Sequence, residues 1–146
     1  MLSKHIKSFK TVNGYTKQIS ILVLITNEKI RSYIIEICKR NNLHLLISVD
    51  LEELVKKIKK MHSAIVLIDY EVVTSFGARI YSIINVACPG CKCIMFCDQN
   101  HRDFIKEAVD HGVYACILAP YKEWEVLTMI RSIIAKNKLQ DQKKPP

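Results

Sequence analysis

The sequence lacks several features that would point to a function class at once. No apolar run approaches the roughly 20 residues needed to cross a bilayer. The stretch "MLSKHIKSFKTVNGYTKQ" is basic, but it has neither the apolar core nor the small-residue cleavage site of a secretory signal. Together these absences predict a cytoplasmic chain with no membrane contact. There is no internal repeat and no low-complexity segment. Residues 1–20 contain no acid. A second Cys-x-x-Cys pair, which a zinc knuckle would want, is also missing.

What is present fits one globular domain. The chain has 146 residues, of which 49% are apolar, and a single Trp. That length supports a sizeable core. The net charge is +8, which raises the question of nucleic acid. Residues 1–20 carry Lys4, Lys7, Lys10 and Lys17, giving +4. Residues 136–146 carry Lys136, Lys138, Lys143 and Lys144 against Asp141, giving +3. The 14 basic and 13 acidic residues of 21–135 leave only +1. The basicity therefore sits in two tails, whereas a nucleic-acid footprint should lie on a folded face. The expected layout is a basic N-terminal extension over 1–18, a domain over 19–137, and a basic tail or linker stub over 138–146.

Six cysteines are present. Cys38 and Cys116 fall in apolar periodic segments and read as small core residues. Cys88, Cys91, Cys93 and Cys97 crowd into "CPGCKCIMFC". A redox or metal site on Cys88, Cys91 and Cys93 is one reading. The alternative is strand packing, because Cys91, Cys93 and Cys97 share a parity and no helix follows the motif to lower a thiol pKa. Packing predicts reduced, metal-free cysteines, with Cys93 and Cys97 largely buried.

Short apolar runs alternate with amphipathic stretches. Strands are expected over 19–25, 43–49, 63–69, 92–97 and 114–118. Helices are expected over 28–41, 51–58, 77–86, about 101–111 and 122–137. Asp50 should cap the second of these and Asn100 the fourth, which Gly112 should stop. The stretch between Asp69 and Gly77 reads as irregular. Five βα units whose strands are continuous apolar runs predict a parallel sheet covered on both faces, an α/β/α sandwich. Sites in such sheets gather beyond the carboxyl ends of the strands. "AIVLID" (64–69) puts Asp69 at that rim. A lone carboxylate there either caps the next helix and accepts turn N–H groups, or does chemistry.

Three features then carry a likeness: Asp69 closing the third strand with Gly77 eight residues on, "HG" at 111–112, and "CILAPY" over 116–121. In this register the chain resembles the receiver domain of bacterial response regulators, the CheY-like superfamily, over residues 19–137. The resemblance implies a flavodoxin-like (βα)5 fold with sheet order 2-1-3-4-5, and it places the phosphoacceptor at Asp69. It implies a cis bond at Ala119–Pro120. Receivers accept a phosphoryl group from a histidine kinase, with Mg²⁺ neutralising charge at the transferring group. The family's acidic pair after strand one falls on Ile25 and Thr26. Its strand-four hydroxyl falls on Cys97, its switching aromatic on Cys116, and its strand-five lysine on Ala119.

The resemblance thus implies a degenerate receiver with no enzymatic activity and no cofactor. It would signal by contact with another signalling protein or a second copy, and not with nucleic acid. The contact face would draw on residues 101–111, 114–118 and 122–136. Tyr114 and Trp124 are possible anchors, and Trp124 could equally be core. A working phosphoacceptor is the alternative. It would need Glu71 and Asp98 to rebuild an acidic pocket for Mg²⁺ around Asp69. A flavodoxin-type cofactor site is not supported, because "TNEK" (26–29) has no glycine to cradle a phosphate.

Overall fold

The computed structural model describes residues 19–143, with side chains through Leu139. The extension over 1–18 lies outside the described residues.

Five strands alternate with helices: β1 (Ser20–Leu24), α1 (Glu28–Arg40), β2 (Leu45–Ile47), α2 (Leu51–Ile58), β3 (Ala64–Asp69), α3 (Tyr70–Phe76), α4 (Arg79–Ala87), β4 (Lys92–Cys97), α5 (Asp103–Asp110), β5 (Ala115–Leu118) and α6 (Glu123–Lys143). All strand pairs are parallel and the order is β2-β1-β3-β4-β5. This is the flavodoxin-like arrangement that the sequence predicts.

Successive residues of a strand face opposite sides of the sheet, so each strand feeds two cores. Ile65 and Leu67 of β3 join Ile34 and Ile37 of α1 and Ile130 and Ile133 of α6 on one face. Val66 and Ile68 join Leu54 of α2, Val72 of α3, Ile84 of α4 and Ala108 of α5 on the other. Every residue of β3 is buried. At roughly 25 cal/mol per Å² of apolar surface removed from water, these two layers supply the dominant stabilisation.

Several local signals hold in the fold. Asp50 caps α2 by accepting from the Glu53 amide at 2.8 Å. Gly112, with φ 84°, takes the left-handed conformation that ends α5. The Ala119–Pro120 bond is cis.

Four local expectations are corrected. The stretch after Asp69 is a helix, α3, because Asp69 itself caps it and Gly77 (φ 76°) stops it. Asn100 caps nothing; it lies within a 3-10 turn over Gln99–His101. The last helix continues to Lys143, past the expected 137. Strand β2 is only three residues long, since Leu43 and His44 precede the paired stretch.

Candidate functional site

Register places Asp69 at the carboxyl end of β3, where it pairs with Phe96 of β4. Its side chain is wholly buried, with 0% exposure. Such burial is tolerated because backbone donors surround it. Oδ2 accepts from the Asn27 amide at 2.8 Å. Oδ1 accepts from the Thr26 amide at 3.2 Å and from the Val72 amide at 3.2 Å. Both oxygens are therefore used, one of them twice. Burial raises the carboxyl pKa, and the three N–H groups oppose that rise without cancelling it.

The turn between β1 and α1 is clamped from both sides. Its amides go to Asp69, and its Ile25 and Thr26 carbonyls accept from the Arg31 guanidinium at 2.9 and 3.3 Å. Asn27 caps α1, accepting from the Ile30 amide at 3.0 Å, and its Nδ2 donates to Glu71 at 2.7 Å. Ile25 is buried in the α1/α6 core, so the first of the two positions after β1 faces away from the rim.

The other rim acid is engaged elsewhere. Asp98 meets Nδ1 of His101 at 2.6 Å, which holds its carboxyl below the usual carboxylate range. The Tyr70 ring stacks on His101 at 4.3 Å, and burial together with the nearby Asp98 charge raises the Tyr70 pKa. Glu71 and Asp98 are thus each bound to a different partner, away from Asp69. Among the described residues no set of three His, Cys, Asp or Glu side chains is arranged to hold a metal ion. Mg²⁺ asks for near-octahedral oxygens and parts reluctantly with water. One buried, fully hydrogen-bonded carboxylate does not fit it.

The end of β5 is closed by a second network. Ala119 offers no side-chain charge, and its carbonyl accepts from Gln99 Nε2 at 3.1 Å. The Tyr121 hydroxyl donates to the Cys97 carbonyl at 2.7 Å, and its ring lies edge-on to Phe96 at 5.5 Å. Tyr33 donates to the Tyr121 carbonyl at 2.6 Å. Cys97 is fully buried and its thiol donates to the His101 carbonyl at 2.9 Å. Cys116 is half-buried.

The remaining cysteines pack. Cys88 and Cys91 are buried beside each other, and Cys88 donates to the Met61 carbonyl at 3.4 Å. Burial pushes the Cys93 thiol up to about 12 and the Cys116 thiol to about 11. Protonated thiols are weak nucleophiles and weak ligands. Cys93 is only half-buried, less than expected for a strand-four core position. Trp124 is 65% exposed, so it is not core.

Residues that sequence reading missed are Asn27, Arg31, Tyr70, His101 and Tyr121. Only Asn27 carried a local signal, as a cap residue before the charged start of α1. Arg31 and His101 act through local turns that carry no sequence signature, and Tyr70 and Tyr121 through contacts that only the fold creates.

No family model matches the chain, and no curated protein matches it in sequence. Its structure is similar to solved structures at low identity. A response regulator from Thermotoga maritima superposes with TM-score 0.68 at 15% identity, covering 82% of this chain and 99% of that one. A signal receiver domain of an HD domain-containing protein from Pseudomonas fluorescens gives TM-score 0.70 at 16% identity, covering 82% and 97%. A CheY-like protein from Pseudomonas aeruginosa gives TM-score 0.65 at 15% identity, covering 79% and 98%. The fold is that of response regulator receiver domains.

Proposed function

We propose that the chain is a receiver-fold signalling module that works by protein contact, without a Mg²⁺-dependent aspartyl-phosphate switch. The observation that carries this reading is the saturation of Asp69: three backbone amides hold its two oxygens in a fully buried pocket. A phosphoryl acceptor needs a free oxygen, a metal to offset charge, and a cation or hydroxyl to receive the group. At the corresponding positions stand Ile25, Thr26, Cys97 and Ala119, none of which brings charge.

The alternative phosphoacceptor reading requires Glu71 and Asp98 to turn toward Asp69. That would break the Asn27–Glu71 and Asp98–His101 bonds, at 2.7 and 2.6 Å. A sensor built on Cys88, Cys91 and Cys93 is disfavoured by burial of the first two and by raised thiol pKa values at the last two.

For the contact surface we favour the face of α5, β5 and α6. Trp124 and Val109 are exposed there, at 65% and 60%. Tyr114 is held by Ser132 at 3.0 Å and by Lys136 at 3.2 Å. A second copy of the chain or another signalling protein would cover it. The test is amide NMR with beryllofluoride and Mg²⁺. The reading predicts that the Thr26, Asn27 and Val72 resonances stay in place, and their displacement at stoichiometric ligand would overturn it.

A further inference from the structure

Helices α2 and α4 lie side by side on one face of the sheet. Each carries a second stripe beside the one that packs on the strands. Glu52, Val55, Lys56 and Lys59 follow at i, i+3, i+4 and i+7, and so do Arg79, Ser82, Ile83 and Val86. Between the helices Val55, Lys59, Ser82, Ile83, Val86 and Ala87 line an open groove of about 410 Å³. That volume is in the range of pockets that hold a ligand, roughly 300–1,000 Å³.

The floor of the groove is apolar, and the fold alone does not call for it. Val86 is 82% exposed. A β-branched residue is a poor helix former and gains nothing from facing water. Ile80, Tyr81 and Ile84 already hold α4 to the sheet. The rim is basic. Lys56, Lys59 and Arg79 stand on the two stripes, with Glu52 as their one acid. Helix α4 contains no acid at all. Lys57 turns elsewhere, donating to Glu53 at 2.9 Å and to the Ile47 carbonyl at 3.0 Å. Among the described residues no carboxylate pairs with Lys56, Lys59 or Arg79.

This charge decides among occupants. The chain's own ends have the wrong sign: 1–18 carries Lys4, Lys7, Lys10 and Lys17 and no acid, and 140–146 carries Lys143 and Lys144 against Asp141. A second copy related by a two-fold axis would set the same stripes against themselves, cation against cation. Nucleic acid matches the charge but has no aliphatic side chain to offer Val55, Ile83 and Val86. A flat bilayer surface does not enter a cleft between two helices. A helix with apolar residues on one side and acids beside them matches both floor and rim. Helix α2 has 8 residues, a length of about 12 Å, which suits roughly two turns of such a partner.

We propose that the groove between α2 and α4 docks an acidic amphipathic helix of another protein. Its apolar side chains rest on Val55, Ile83 and Val86, and its carboxylates meet Lys56, Lys59 and Arg79. The groove shares no residue with the α5, β5 and α6 face, so the proposal rests neither on that face nor on the state of Asp69.

The test is amide NMR titration of the full chain with a synthetic helical peptide carrying leucines at i, i+4 and i+7 and glutamates between them. The Val55, Lys59, Ile83 and Val86 resonances should move while those of Tyr114 and Trp124 stay in place, and affinity should fall as salt is raised. The same peptide with lysine for every glutamate should not bind. Val86→Asp changes an exposed position and should weaken binding more than tenfold, because it sets like charges together. Lys56→Gln with Lys59→Gln should weaken it by about threefold per lysine. Four results would each overturn the proposal: no binding of the glutamate peptide, equal binding of the lysine peptide, shifts centred outside the groove, or indifference to Val86→Asp. A dimer of the free chain that Val86→Asp dissociates would assign the groove to a second copy instead.

Discussion

The amide of Asn27 donates to Oδ2 of Asp69 at 2.8 Å, across 42 residues of sequence. That bond ties the turn after β1 to the end of β3, the two places from which a receiver builds its site. Here backbone amides make the joint, with the Asp69 carboxylate as their acceptor.

Replacing that carboxylate should therefore cost stability. Asp69→Ala leaves the amides of Thr26, Asn27 and Val72 without their acceptor. A loss of about 2–4 kcal/mol is expected, read from urea unfolding. A neutral or stabilising result would mean that these bonds do not hold the rim together.

Acidity should show the same group with a definite sign. Burial raises the Asp69 pKa in the native state. The native state then holds that proton more tightly than the unfolded chain does. The contribution of Asp69 to stability falls as pH rises from about 4 through the raised native pKa. Asp69→Asn, which does not titrate, should accordingly gain on the wild type over that window. The opposite trend would show that the three amides outweigh burial.

Gly90 should not tolerate a side chain. A Cβ there would clash with the carbonyl oxygen of His62, a backbone atom with no rotamer to change. Gly90→Ala is expected to lower stability by about 1–3 kcal/mol, measured as a shifted urea midpoint. An unshifted midpoint would contradict the close approach of the β4 turn to His62.

Trp124 offers a test of the proposed contact face. With 65% of its surface exposed, Trp124→Ala should change the stability of the folded chain by less than about 0.5 kcal/mol. Iodide should quench this sole tryptophan readily in the free chain, and less once a partner is bound. A stability loss above about 2 kcal/mol would return Trp124 to the core.

The sequence made the architecture legible because its strands are unbroken apolar runs with helical spacing between them. Asp69 was placed for the same reason, as the first polar residue after "AIVLI". Its use was not fixed, since capping and catalysis ask for the same residue at the same strand end. Three amides donate to it in the fold, and two of them come from more than 40 residues away. Helix α3 escapes the sequence because its apolar pattern is short, although Asp69 is legible as a possible cap of the next helix and Gly77 stands at its end. The partners of Asp98 and Glu71 were hidden as well. Asn27 reaches Glu71 only once β1 and β3 lie side by side, and His101 meets Asp98 only once the chain after β4 turns over three residues.

The most direct measurement is intact-protein mass after incubation with acetyl phosphate and Mg²⁺, alongside a receiver domain known to accept phosphate. The account predicts that the control gains one phosphoryl mass while this chain gains none. A phosphoryl adduct that maps to Asp69 and disappears in Asp69→Asn would contradict it.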